Sequence, residues 1–276
     1  MSVIAKQNMK AGYLQFAPEY LEVQSNLEKV EELLSGVEAD LLVLPELFTS
    51  GYFFRSVDDL RAVAEPIPEG RSTQKLREWA GNLEANLVAG LPEQDGDQLY
   101  NSAVLVRPDG SVETYRKVHL FYEETILFEP GDRGLQVFDV TTREGDAYRL
   151  GVMVCFDWYF PEAARTLALR GADVIAHPSN LVLPHCPDAM PVRARENHVF
   201  TITANRYGSE QKGGEELTFI GMSEVCDPGG AILHRADEVG DAVQTVSFDP
   251  TEARNRKIND MNDVLADRRP DVYALR

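Results

Sequence analysis

Cysteine is scarce in this sequence, and metal-ligand spacing is absent from it. Cys155, Cys186 and Cys226 are its three thiols in 276 residues, too few and too scattered for a disulfide framework or a CxxC zinc knuckle. The five histidines form no HExxH or similar close pair, so neither a metal nor another cofactor is implied. No apolar run nears the roughly 20 residues that cross a bilayer. The first residues, MSVIAKQNMKAGYLQF, lack the apolar core and cleavage site of a signal peptide, and the expected location is the cytoplasm. Positive charge is in deficit, with 27 Lys and Arg against 45 Asp and Glu, a net charge of −18. Such a surface repels phosphate backbones and anionic lipid, which argues against nucleic acid or a membrane as partner. No Pro-, Gly- or Ser-rich linker divides the chain, so residues 1–276 read as one domain.

What is present is a regular alternation of strand-like and helix-like segments. MKAGYLQF reads as a strand; Val23, Leu27, Val30, Leu34 and Val37 then recur at helical spacing, with Gly36 near the helix end. ADLLVLP is too uniformly apolar for a strand with one wet face. A helix over 72–80, strands ANLVAG and SAVLVRP, and a turn at Pro108-Asp109-Gly110 follow. LQVFDV and RLGVMVCF are further strands, and Pro161 opens a helix that Gly171 closes. ADVIAHP, a helix over 189–198, FTITANR, LTFIGMSEV, AILH and AVQTVSF continue the pattern, which is that of an α/β domain with many strands. EADLLVLPE (38–46) and GADVIAHPS (171–179) also align, sharing Ala39/Ala172, Asp40/Asp173 and Pro45/Pro178. This echo predicts two similar halves stacked face to face, each with a buried strand whose proline ends the pairing where a polar residue emerges.

Three stretches carry possible chemistry. Glu46, in LPELFTSGY, is either a solvated loop acid or a carboxylate at a pocket rim, where partial desolvation would raise its pKa and let it exchange a proton near neutrality. Lys117, in YRKVHLF, is either a surface lysine or a fixed cation beside a developing oxyanion. Cys155, in GVMVCFDWYFPE, is either a small core hydrophobe or a nucleophile at a strand-to-helix junction, where a side chain and backbone N–H groups point at one spot. Glu124 and Glu129 lie in FYEETILFEPGD, whose EPGD reads as a turn. Glu162 and Arg165 are three apart at a helix start and are expected to pair or to buttress the cysteine loop. His177, His198, Cys186 and Cys226 read as structural.

In this order and at these separations, LPELF, YRKVHLF…EPGD and GVMVCFDWYFPEAAR resemble the carbon-nitrogen hydrolases of the nitrilase superfamily. The similarity continues through HPSNLV, RARENHVFTITANR, GMSEVCDPGG and NDMNDVLADRRPDVY, nearly the whole chain. The resemblance implies a four-layer αββα sandwich that dimerises or assembles further, with the tail from about 250 to 276 packing on a partner subunit. It implies Cys155 as nucleophile, Glu46 as general base, Lys117 as the group holding the tetrahedral intermediate, and Glu124 as the second glutamate that orients substrate and base. The N–H of Phe156 would complete the oxyanion hole, and Trp158, Tyr52 and Asn180 would wall the pocket.

The expected substrate is a small aliphatic amide, cleaved to acid and ammonia through a cysteine thioester. A small nitrile is the first alternative and an N-carbamoyl amino acid or amine the second, with Arg193 or Arg195 meeting a substrate carboxylate. Two readings of other classes compete: a glycosidase using Glu46 and Glu124, which leaves Cys155 without a task, and a catalytically silent scaffold, against which the intact set of four residues argues.

Overall fold

A computed structural model describes residues 8–273. In the first half, β1 (Met9–Gln15), α1 (Val23–Leu33), β2 (Leu41–Val43), α2 (Val57–Val63), α3 (Arg71–Leu83), β3 (Asn86–Asp95), β4 (Gln98–Val106), β5 (Val112–Arg116) and α4 (Glu124–Leu127) follow in order. The second half contains β6 (Val137–Thr141), β7 (Ala147–Val152), α5 (Pro161–Leu169), β8 (Val174–Pro178), α6 (Cys186–Asn197), β9 (Phe200–Ala204), β10 (Tyr207–Lys212), β11 (Glu215–Ile220), β12 (Glu224–Cys226), β13 (Ile232–Arg235) and β14 (Ala242–Phe248).

Two six-stranded sheets result, ordered β14-β1-β2-β3-β4-β5 and β13-β12-β9-β8-β7-β6, with β10-β11 as a separate hairpin. Alternation within strands decides what each face covers. Along β2 and β3, Leu41, Val43 and Val88 face the second sheet's core, while Leu42, Leu87, Ala89 and Leu91 meet Val23, Leu27 and Val30 of α1 and Leu76 and Trp79 of α3. Ala164, Leu167 and Ala168 of α5 and Met190 of α6 cover the outer face of the second sheet. The expected helix–sheet–sheet–helix sandwich is therefore what the chain forms.

The sequence echo has a structural counterpart. In each sheet the strand bearing the echo, β2 or β8, lies parallel between two parallel neighbours, with antiparallel strands outside them. Asp40 and Asp173 also do the same work at the two strand starts: each donates its N–H to the preceding strand (Lys10 O, 2.7 Å; Arg149 O, 2.8 Å) and accepts the N–H of that residue on its carboxylate (2.7 and 3.0 Å). The ends of β2 and β8 thus come to comparable places in facing sheets.

LTFIGMSEV departs from the expectation of one strand. Met222 sits at positive φ between β11 and β12, so the segment turns there, leaving the hairpin and entering the second sheet. Glu162 and Arg165 do not pair; Arg165 instead donates to the Glu196 carbonyl at 2.7 Å, tying α5 to the end of α6.

Candidate active site

Glu46 follows β2 on a segment that continues to pair with β3 beyond the strand proper. Leu44 N–H donates to Val88 O (2.7 Å), Gly90 N–H to Pro45 O (3.1 Å), and Phe48 N–H to Gly90 O (3.1 Å). This close approach needs a glycine, since a Cβ at residue 90 would lie 2.4 Å from the Glu46 Cα. The glutamate side chain is fully buried. Its Oε1 accepts Asn101 Nδ2 at 2.6 Å and Lys117 Nζ at 2.7 Å, while Oε2 has no partner.

Lys117 emerges where β5 ends. Its N–H donates to Asn101 O (2.8 Å) and its carbonyl accepts Gly131 N–H (2.9 Å), so the EPGD turn is packed onto the lysine's own backbone. A Cβ at residue 131 would lie 2.0 Å from the Arg116 carbonyl oxygen. The ammonium is buried and bridges two acids, 2.7 Å from Glu46 Oε1 and 2.7 Å from Glu124 Oε1. Burial opposes its charge, but the carboxylates of Glu124 and Glu46 outweigh that and push its pKa up.

Glu124 opens α4, where its Oε2 accepts the N–H of Phe121 at 3.1 Å. Burial pushes this carboxyl up to about 7, against the pull of Lys117 and with the help of the Glu46 charge. Glu129 instead has its N–H on the Leu99 carbonyl (2.8 Å) and is exposed.

Cys155 stands past β7 at φ +42°, a conformation unusual for a residue with a side chain. Two buried groups hold it there. His177, on β8, meets the Cys155 carbonyl through Nε2 at 2.9 Å and Thr203 Oγ1 through Nδ1 at 3.0 Å. Burial pushes this imidazole down to about 4, so it is neutral, with the proton assigned to Nε2 because a carbonyl can only accept. Asp157 accepts Val154 N–H (2.8 Å) and Tyr115 O–H (2.7 Å) on Oδ2, and His119 N–H (3.1 Å) on Oδ1. Tyr115 and His119 flank Lys117, so the cysteine loop is bolted to the strand that carries the lysine.

The thiol is driven well above its ordinary pKa, first by burial and then by the Glu46 charge, with Lys117 opposing. A base and a cation beside a cysteine would by residue type be expected to raise its thiolate fraction; here burial dominates and they do not. Lys117 is shared between Glu46 and Glu124, so it offsets little of what burial does to the thiol, and the resting sulfur keeps its proton. Cys155 is nonetheless 5% exposed. It opens onto a small cavity lined by Phe121, Phe156, Trp158, Asn180 and Leu181 among others. Phe156 and Trp158 both line this cavity. Asn180 contributes a carboxamide whose Oδ1 and Nδ2 are both buried without partners. Tyr52, expected as a wall, is not among the residues lining this cavity; its buried phenol instead interacts with Glu124, Glu46 and Cys155.

A larger cleft of about 500 Å³, lined by Arg61, Leu120, Ile126 and Pro130 among others, touches none of the four central side chains. The two arginines considered as carboxylate binders are engaged elsewhere. Arg193 donates to Trp158 O and pairs with Glu196 (2.7 Å), and Arg195 donates to Gly229 O. Among the described residues no cluster of three or more His, Cys, Asp or Glu could hold a metal ion.

Asn101, Asp157 and His177 are the site residues that sequence reasoning missed or read as structural. For Asp157 a signal existed, an acid two residues after the cysteine in an otherwise aromatic run. For Asn101 none did, because only sheet pairing brings β4 beneath Glu46.

The family model for carbon-nitrogen hydrolases matches residues 10–257. The chain is 48% identical over 268 residues to a nitrilase of Pyrococcus abyssi, covering 96% of this chain and 99% of that one. It is 34% identical over 268 residues to an (R)-stereoselective amidase of a Pseudomonas species, covering 95% and 92%. Among solved structures, a variant of the amidase from Nesterenkonia sp. AN1, with the acetamide moiety of fluoroacetamide added at its active-site cysteine, superposes with a TM-score of 0.73 at 28% identity, covering 90% and 94%.

Proposed function

The chain belongs to the carbon-nitrogen hydrolases, and from that premise we propose that it cleaves a small aliphatic amide to carboxylic acid and ammonia through a thioester on Cys155. One observation carries this reading. Lys117 Nζ binds Oε1 of both glutamates, which leaves Glu46 Oε2 unpartnered in the set of charges that acts on the thiol. A free carboxylate oxygen in a buried site is a proton acceptor.

Because the thiol rests protonated, attack and deprotonation are coupled. Glu46 Oε2 takes the Sγ proton as sulfur bonds to the amide carbon, and the carbonyl oxygen becomes an oxyanion held by Lys117 Nζ and the Phe156 N–H. Glu46 then returns that proton to nitrogen, the C–N bond breaks, and ammonia leaves a thioester. Water, losing a proton to Glu46, adds to the thioester; collapse expels the sulfur, which regains the proton, and the acid departs. Glu124 keeps Lys117 in place throughout. The acetamide adduct on the Nesterenkonia cysteine supports a nucleophilic cysteine by analogy.

A nitrile would form a thioimidate that takes up water before losing ammonia, and the Pyrococcus relative bears the name nitrilase. Asn180 favours the amide. Its buried, unpartnered Oδ1 can accept an N–H from an amide nitrogen, whereas a nitrile brings no N–H and leaves that oxygen unsatisfied. N-carbamoyl amino acids fit less well, since Arg193 and Arg195 are committed to other partners. The deciding assay is ammonia release from propionamide, propionitrile and an N-carbamoyl amino acid, with Cys155→Ala as control. Propionamide should give the highest kcat/KM; equal turnover by Cys155→Ala would refute the thioester.

We further propose that the protein acts in the cytoplasm as a homodimer or larger homo-oligomer, with residues from about 250 to 276 covered by a partner subunit. Arg254 anchors the start of this tail to Asp173 at 2.8 Å. Beyond it, Ile258 and Met261 are 72% and 86% exposed, apolar surface that a second copy would cover. Residues 274–276 lie outside the described part. No helix among the described residues is long and apolar enough to cross a membrane. Light scattering on the protein and on Ile258→Asp/Met261→Asp tests the assembly, and a monomeric parent protein refutes it.

A further inference from the structure

The β10–β11 hairpin belongs to neither six-stranded sheet, yet it reaches all three loops around the thiol. Its Glu210 carboxylate accepts two main-chain N–H groups of the loop after Glu46, from Tyr52 (3.0 Å) and Phe53 (2.6 Å), both on Oε2. Gly51, at φ +76°, makes room for this, since a Cβ there would lie 2.6 Å from Glu210 Oε1. Arg206, itself buried, pairs with the same carboxylate and sets its guanidinium 4.1 Å from the Phe219 ring centre. Phe219 in turn packs edge-on against Tyr52, with ring centroids 6.0 Å apart at 86°. Lys212 reaches Glu123 at 2.5 Å, beside Glu124, and Ile220 N–H donates to Leu181 O beside Asn180.

We propose that this hairpin is a positioning element of the active site, in which Glu210 fixes the Tyr52 main chain and Phe219 fixes its ring, so that the phenol stands against Glu124. Glu210 touches no reacting atom; it acts through Tyr52. Buried main-chain N–H groups need an acceptor, and here both are met by one side chain from another element, which ties the position of the Tyr52 loop to the hairpin. What it adds is a defined place for a phenol that interacts with Glu124, Glu46 and Cys155 together. Misplacement of such a group by about 1 Å can cost on the order of 100-fold in rate.

The inference rests on the hydrolase reading for its meaning but not for its test. Alkylation of Cys155 by iodoacetamide, followed by intact mass against pH, reports on the site without any substrate, because Cys186 and Cys226 are fully buried. The groups acting on that thiol are Glu46, Lys117, Glu124 and Tyr52. Glu210→Gln keeps the volume but removes the charge and turns one of the two acceptor oxygens into an NH2 donor, which must then face either the loop amides or the Arg206 guanidinium. It should slow alkylation about 10-fold and displace its pH midpoint, and Phe219→Leu should do the same with the Glu210 carboxylate intact. Glu210→Gln/Tyr52→Phe should be no slower than Tyr52→Phe alone, within about twofold, because both act through one phenol. Multiplying losses in the double variant, or single variants that lower Tm with an unchanged alkylation profile, would overturn the proposal. Absence of ammonia from every amide and nitrile, with these alkylation results intact, would instead sink the hydrolase reading and leave the hairpin's role standing.

Discussion

Lys117 and Glu46 are 71 residues apart in the chain and 2.7 Å apart in the fold, both fully withdrawn from water. A lone buried ammonium would lose its proton. Shared between Glu46 and Glu124, it stays charged, and each carboxylate keeps one oxygen for other work.

Replacing the lysine therefore has two consequences. Lys117→Ala removes an oxyanion donor, for which kcat should fall by about 10²–10³, and it strands two buried carboxylates without their cation, so Tm should fall as well. Lys117→Ala/Glu124→Gln should recover part of the Tm and none of the kcat, measured by thermal denaturation and amide turnover on the same samples.

The three cysteines are expected to differ in reactivity. Iodoacetamide should modify Cys155 alone in the folded protein and all three after denaturation, as read by peptide mapping. Because burial and the Glu46 charge keep the thiol protonated, the rate at pH 7 should be below that of a free cysteine. A rate above it would mean a preformed thiolate.

Gly90→Ala tests how tightly the Glu46 loop is seated. The new Cβ meets main-chain atoms of Glu46 and Leu47 at 2.4–2.9 Å, which have no rotamer by which to yield. Overpacking of this kind costs about 1–3 kcal/mol, and the displaced Glu46 should lower kcat more than it raises KM.

Two buried groups should imprint opposite slopes on stability against pH. Glu224, beside Arg235, is raised by burial from its ordinary 4.5 to about 7, and its Oε1 is unpartnered. Its contribution is full below pH 4.5 and is lost as pH climbs through 7. His177 is lowered from 6.5 to about 4; its contribution is full above 6.5 and is lost as pH falls through 4. Glu224→Gln should gain stability relative to the parent protein across pH 4.5–7, by at most about 3 kcal/mol. His177→Gln should gain relative to the parent as pH falls from 6.5 to 4, while losing kcat because the Cys155 carbonyl is held less firmly. Urea titrations across that range check both.

The layers and the central residues were legible in the chain because they depend on local pattern. Uniformly apolar runs such as ADLLVLP mark strands covered on both faces, and the 3.6-residue spacing in α1 fixes which face of that helix is apolar. Glu46, Lys117 and Cys155 each stand at a strand end, where no single motif marks them but the three together, in their order and separations, carry the family resemblance. Tertiary structure alone decided the rest. It brought Asn101 under Glu46 across 55 residues, made His177 a support for the Cys155 carbonyl, and carried Glu210 to Tyr52 across 158. It also decided the charge state of the sulfur, against the expectation from residue types, because that depends on how much water is excluded and how many carboxylates share one lysine. Composition specifies which groups a site can contain; only packing specifies their distances, and electrostatic energy in a dry interior depends on distance.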